Sequence, residues 1–247
     1  NQATGASPLA QLYWDAANNR PAANNPWLNP IPKHEFNVFN DINHESALTK
    51  IYVKNCLEYW LTEFKIDGFR FDLSKGFTQK NTLGSIPAWG AYDASRVAIW
   101  KNYADFMWSI DPTSYVILEH FADNNEEKEL AEYGMMLWGN MHGAYKDVAL
   151  GFNSATTADL RWISHTQRGW NVPHLIGYME SHDEERIGYK CLTSGNSSIP
   201  SYNIKSPIVA MQRLEMISNL LYTVPGPKML WEFGELGYDF SINHCTD

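Results

Sequence analysis

The 247-residue chain predicts an α/β fold of parallel strands joined by helices. Three observations lead there. The run Tyr115-Val116-Ile117-Leu118 is unbroken and apolar and closes on the carboxylate of Glu119, the pattern of a strand buried on both faces. Apolar residues recur at helical spacing on either side of the segment around residue 70, at Leu48, Tyr52, Cys56, Trp60 and Phe64 and again at Val97, Trp100, Ala104 and Met107. Such runs and such periods alternate along the chain, as βαβ units require.

Taken in order, residues 1–44 are rich in Asn, Pro and Ala and carry no sustained period, so they read as a long irregular loop domain apart from residues 45–247. Asn1-Gln2-Ala3-Thr4-Gly5 has neither the basic start nor the apolar middle of a signal peptide. A helix is predicted over 46–65 and a strand directly after it. A loop through Pro87 and Gly90 leads to a second helix over 93–110, closed by Asp111-Pro112. After the strand ending at Glu119, further apolar runs at Gly134–Trp138, Leu175–Met179 and Lys228–Phe233 bring the expected strands to five, counting Asp67–Leu73 and Tyr115–Leu118. No internal repeat or low-complexity segment interrupts them.

Composition removes several classes of function. A net charge of -9 with no Lys/Arg stripe argues against a nucleic-acid partner. No apolar stretch is long enough to span a bilayer. Cys56, Cys191 and Cys245 are odd in number and lack CxxC spacing, so neither a zinc cluster nor a complete disulfide framework is indicated, and a Cys191–Cys245 pair would depend on export.

The chemistry begins at Asp67-Gly68-Phe69-Arg70-Phe71-Asp72-Leu73. Phe69, Phe71 and Leu73 share one side of a period-two strand, and Arg70 and Asp72 share the other. Two charges on an inner strand face are costly unless each has a use. Arg70 can hold Asp72 ionised, as a carboxylate nucleophile requires, although a purely structural pair would look the same. Glu119 and Asp183, the latter in Glu180-Ser181-His182-Asp183, also stand at or near the C-terminal ends of strands, where barrel enzymes build active sites. Any one of these acids alone fits a strand end emerging into solvent; their coincidence with Arg70 and His182 favours a site. Paired carboxylates suit glycosidic bond cleavage, and Glu119, after four apolar residues, is placed to stay protonated as the acid.

Gly68-Phe69-Arg70-Phe71-Asp72, then Glu119-His120, then Ser181-His182-Asp183 resemble, in order, three signature regions of the α-amylase superfamily of glycoside hydrolases. Val224-Pro225-Gly226-Pro227-Lys228-Met229-Leu230 and Phe233-Gly234-Glu235-Leu236-Gly237 resemble its last barrel strand and the following loop, so the likeness covers residues 45 to 240. It implies a partial (β/α)8 TIM barrel of about the last five strand–helix units, without the first three strands. Residues 3–44 would be the loop domain that protrudes after the third strand, and Asn1-Gln2 the tail of a fourth signature, with Gln in place of His.

The implied activity is retaining hydrolysis of α-glucosidic bonds in starch- or glycogen-like glucans through a covalent glycosyl-enzyme. Asp72 would be the nucleophile, Glu119 the general acid and then base, and Asp183 the third acid. Arg70 would position Asp72, and His182 would bond the sugar at the cleaved position. Lys75 matches a Lys that contacts the leaving-group side of the glucan, though an exposed loop charge would read alike. Gly76 follows it where many members carry His, which weakens both that contact and a calcium site there. Arg186 reads as an orienting arginine. Trp14, Trp27, Trp89, Trp138 and Trp170 are core candidates, with Trp27, in the irregular loop, the best placed to stack on sugar. The implied partner is an α-glucan oligo- or polysaccharide. The chemistry needs no cofactor, a structural calcium stays open, and an extracellular, periplasmic or cell-surface setting follows only by analogy. The alternatives are an α-glucan transglycosylase or branching enzyme, or a non-catalytic glucan-binding fragment.

Overall fold

The computed structural model describes residues 8–245; the expectations for Asn1–Gly5 lie outside them. The chain divides into two compact units between Leu137 and Trp138, with residues 8–44 in the first.

The first unit opens with a short helix, α1 (Pro8–Gln11), and a two-residue hairpin, β1 (Trp14–Asp15) against β2 (Arg20–Pro21). Among the described residues no longer element forms before residue 47, in keeping with the missing period. Asn25 ties this stretch: its Oδ1 accepts from the backbone N–H groups of Trp27 and Leu28, both at 2.9 Å, and its amide donates to Leu9 and Tyr13 carbonyls. Then follow α2 (Ala47–Glu63), β3 (Gly68–Phe71), α3 (Ile86–Gly90), α4 (Ala94–Ile110), β4 (Tyr115–Leu118), α5 (Asn124–Tyr133) and the start of β5 (Met136–Asn140). β3 pairs with β4 in parallel, Arg70 opposite Ile117, and β4 pairs in parallel with β5, Leu118 opposite Leu137. A Cβ on Gly68 would lie 2.2 Å from the carbonyl oxygen of Tyr115, so only glycine lets β3 close on β4 here.

The two long helices behave differently. In α4, Val97, Trp100, Ala104 and Met107 are all buried, as predicted, and Asp93 caps the start by accepting from Ser95 and Arg96 N–H. In α2 the predicted face is turned out: Leu48, Tyr52, Cys56, Trp60 and Phe64 are exposed, and Thr49, Leu57 and Leu61 are buried instead. The buried row lies one residue on from the predicted one, at the same every-fourth spacing and so about 100° round the helix, whereas the 3-4-3 spacing in α4 marks the buried face itself.

The second unit holds the rest of β5, then α6 (His142–Leu150), β6 (Leu175–Tyr178), α7 (Ile187–Ser194) and α8 (Pro207–Tyr222). Tyr145, Ala149, Ile187, Cys191, Ile217 and Leu221, all fully buried, form its core. The predicted fifth strand is reduced to a parallel bridge between Gly177 and Lys228: Gly177 N–H donates to Pro227, and Met229 N–H to Gly177, each at 3.1 Å. Prolines at 225 and 227 bring no N–H to a ladder, and Phe233 turns left-handed at φ 62°. All three cysteines are free thiols.

Candidate active site

β3 and β4 deliver the first part of the site within the first unit. The alternation read from the sequence holds: the Phe69 and Phe71 rings lie 5.9 Å apart, and Phe71 packs edge-on to Trp100. Glu119 N–H donates to the Phe71 carbonyl at 3.1 Å, which carries the parallel register one step past β4. Arg70 then bridges two carboxylates. Its Nη1 lies 2.7 Å from Asp72 Oδ1 and its Nη2 2.6 Å from Glu119 Oε2, and Leu73 N–H donates to the same Glu119 oxygen at 3.2 Å.

The two acids share a guanidinium but not an environment. The Asp72 side chain is 76% exposed and that of Glu119 only 10%. Burial, joined by the Asp72 carboxyl, pushes the Glu119 pKa up, and the Leu73 N–H and Arg70 oppose without cancelling. A carboxylate oxygen of Asp72 lies within 4.8 Å of one of Glu119. Asp72 and Arg70 line a cleft of about 530 Å³ in this unit, with His34, Phe39, Asp41 and Phe77.

Strained backbone brackets the pair. Leu73, next to Asp72, and Phe121, two residues after Glu119, are both left-handed, at φ 44° and 54°, a conformation that costs a non-glycine residue of order 1–3 kcal/mol and persists only where its surroundings enforce it. Lys75 is part of that enforcement. It is buried, its ammonium donates to the Phe121 carbonyl at 2.9 Å and sits 4.1 Å from the centre of the Trp89 ring, and burial lowers its pKa. The exposed loop charge is thus ruled out, and the ammonium ties the two strained loops together. Gly76 has a local explanation as well: a Cβ there would lie 2.6 Å from Nε2 of His34, whose imidazole stacks on Trp89 and fills that space.

Sequence reading missed what lies behind the acids. Ser74, His120 and Glu126 are buried and hydrogen-bonded in series, and Arg96 closes the series. The available signal was Arg96 itself, a charge set among the apolar residues of α4.

In the second unit, the loop after β6 holds the remaining predicted residues. Asp183 is 61% exposed, with its N–H donating to Ser181 Oγ at 3.1 Å; His182 Nε2 lies 3.5 Å from Asp183 Oδ2, and its ring contacts Trp138 and Trp231. Glu180, in contrast, is buried: it accepts from Ile187 N–H at 2.5 Å and faces Arg186 Nη1 at 3.4 Å. Arg186 is buried over the Tyr238 ring, as an orienting arginine would be. Among the tryptophans, Trp89, Trp138 and Trp170 are core, and Trp14 and Trp27 are half-buried.

Comparison with known proteins places this architecture. No protein-family model matches the chain. Isoamylase 1 of the rice chloroplast (Oryza sativa subsp. japonica) is 35% identical over 176 residues, 62% of this chain and 22% of the relative. The Arabidopsis thaliana counterpart is 24% identical over 181 residues, again 62% and 22%. The chain therefore spans about a fifth of the length of these relatives. Among solved structures, a pullulanase from Anoxybacillus sp. LM18-11 complexed with maltotetraose superposes with a TM-score of 0.60 at 16% identity, over 90% of this chain and 32% of that one. A Nostoc punctiforme debranching enzyme soaked with acarbose gives 0.55 at 16% identity, over 88% and 47%. The fold is part of a (β/α)8 barrel.

Proposed function

We propose that the chain is a member of the α-amylase superfamily of glycoside hydrolases and that it carries the acid pair of a retaining enzyme that cleaves α-glucosidic bonds in starch- or glycogen-like glucans. The observation that carries this reading is the pair Asp72 and Glu119 held by one guanidinium, with oxygens within 4.8 Å of each other. Inverting enzymes keep their carboxyls about 6.5–9.5 Å apart to seat a water, and retaining ones about 5–5.5 Å. The spacing here favours the second.

In this reading Asp72, exposed to the cleft, attacks the anomeric carbon. Glu119, whose pKa burial raises, donates a proton to the departing glycosidic oxygen and then, as the base, activates the water that releases the sugar. Arg70 keeps the two carboxyls in register through both steps. Asp183 and His182 serve as the third acid and a sugar hydrogen-bond partner, and Lys75 supports the leaving-group side from beneath, through its hold on Phe121. No cofactor takes part at the reacting atoms, and any structural calcium would serve the fold alone.

The matched relatives include isoamylases, a pullulanase and a debranching enzyme, which makes branched α-glucan the first substrate to try. The test is release of reducing ends from soluble starch and from a branched glucan by the full-length protein and by its Asp72→Asn variant. Release that requires Asp72 supports the reading. Equal release by both would remove Asp72 as nucleophile, and products longer than the substrate would move the reading to transglycosylation.

A further inference from the structure

Behind the acid pair runs a closed chain of buried polar groups that the reaction itself does not use. Arg96 grips Glu126 with two bonds, Nε to Oε1 at 2.6 Å and Nη2 to Oε2 at 2.8 Å. Glu126 Oε1 lies 2.7 Å from His120 Nε2, and His120 Nδ1 lies 2.8 Å from Ser74 Oγ. Ser74 closes on Glu119: its N–H donates to the Glu119 carbonyl at 3.0 Å and its hydroxyl lies 2.8 Å from the same oxygen. The remaining Arg96 donors reach the carbonyls of Lys75, Trp89 and Ala91.

The order Ser–His–Glu resembles a nucleophilic triad, yet Ser74, His120 and Glu126 are 0%, 1% and 0% exposed, so no substrate carbonyl can reach the hydroxyl. A buried ionic cluster is seldom the most stable way to fill a core, since apolar residues of like volume do as well or better. What this cluster does is fix geometry. It joins the loop after β3 to the loop after β4 at the two places where the backbone is left-handed, Leu73 beside Asp72 and Phe121 beside His120. With the Glu119 N–H on the Phe71 carbonyl and the Glu119 carbonyl on Ser74, the main chain of that residue is held on both sides.

We propose that Arg96, Glu126, His120 and Ser74 form a positioning relay that sets the main chain of Glu119, and with it the direction in which its carboxyl meets the glycosidic oxygen. The proposal rests on the reading of Glu119 as general acid. His120 is the central positioning residue, since it alone joins the charged end of the relay to Ser74.

A general acid matters in proportion to how much its leaving group needs a proton, and that separates positioning from mere support of the fold. The test uses the full-length protein with two α-glucosides, one with a 2,4-dinitrophenyl leaving group that departs without help and one with a poorly departing sugar alcohol. In His120→Gln, kcat/KM on the second should fall by about tenfold or more while kcat/KM on the first changes less than about twofold, because kcat/KM reports the glycosylation step, where a catalytic acid displaced by ~1 Å is felt only if the leaving group needs its proton. Ser74→Ala removes only the hydroxyl link and should show the same split in smaller measure, so the proposal stays testable if the histidine variant does not fold. An equal fall on both substrates, or no fall in a folded variant, overturns the relay. Glu119→Gln is the companion measurement: if it spares the poor leaving group, the reading of Glu119 itself fails, and a split in Glu119→Gln without one in the relay variants removes the relay alone.

Discussion

Glu119 after β4 and Glu180 after β6 are nearly the same object in sequence, a glutamate at the end of an apolar strand with His-bearing residues following, and both are buried beside an arginine. Their partners set them apart. Glu119 shares Arg70 with a second, exposed carboxylate, Asp72, which lines a cleft; Glu180 spends its oxygens on the first N–H of α7 and on Arg186, inside the second unit. Burial alone does not mark a catalytic acid. The partners differ in how they use the oxygens: Glu180 gives one to the Ile187 N–H and the other to Arg186, whereas Glu119 gives the same Oε2 to both the Leu73 N–H and Arg70.

The contrast can be broken most sharply at Glu119. Glu119→Gln keeps the shape and should lower turnover of unactivated glucan by about 10²–10⁴-fold, the usual worth of a general acid, with the melting temperature close to that of the parent. Steady turnover in initial-rate assays would end the distinction. Glu180→Ala should do the reverse: it strands Arg186 and the Ile187 N–H in the interior and should cost about 3–5 kcal/mol in urea unfolding. A variant of unchanged stability would show that Glu180 is not the structural partner of the pair.

A third measurement uses pH. The raised pKa of Glu119 means that the folded state holds its proton more tightly than the unfolded chain, so its contribution to stability is full below the ordinary value of 4.5 and is lost as pH rises through the raised one. Urea unfolding followed from about pH 4 to pH 7 should therefore show a decline in the parent that Glu119→Gln lacks. Glu126 carries the opposite sign. Burial works against its charge, but bonds from His120 and Arg96 outweigh it and lower its pKa, so its contribution is present above 4.5 and lost as pH falls. Matching slopes in parent and Glu119→Gln would mean that burial has not shifted Glu119. The smallest effect belongs to Glu185, which also accepts from a backbone N–H at the start of α7, that of Arg186, and from Ser241 Oγ and Ile242 N–H, but is only half-buried. Glu185→Gln should cost no more than about 1 kcal/mol, and a larger loss would say that hydrogen-bond partners, not burial, give such a glutamate its weight.

Much of this was legible in the sequence where the pattern itself is rigid. Strand alternation placed Arg70 and Asp72 opposite Phe69 and Phe71, and the 3-4-3 spacing of α4 named the residues that the structure buries. The every-fourth-residue row in α2 named the wrong face, since an adjacent row of the same spacing, with Thr49, Leu57 and Leu61, is the one that is buried. Lys75 read as open between a substrate contact and a surface charge, and Gly76 as a bare departure from the family pattern. The ring of Trp89 and the imidazole of His34, far off along the chain, explain both.

The sequence by itself determined the α/β class, the order of the three acid-bearing segments and the sidedness of β3, since backbone geometry imposes a period that needs no knowledge of neighbours. The apolar run before Glu119 also pointed to a carboxyl whose pKa burial raises, as the structure has it; only the tertiary structure decided that Glu180 is bound to structure, and that Ser74, His120, Glu126 and Arg96 form one series. Solvation and hydrogen-bond partnership depend on which segments meet in space, and a linear pattern does not record that.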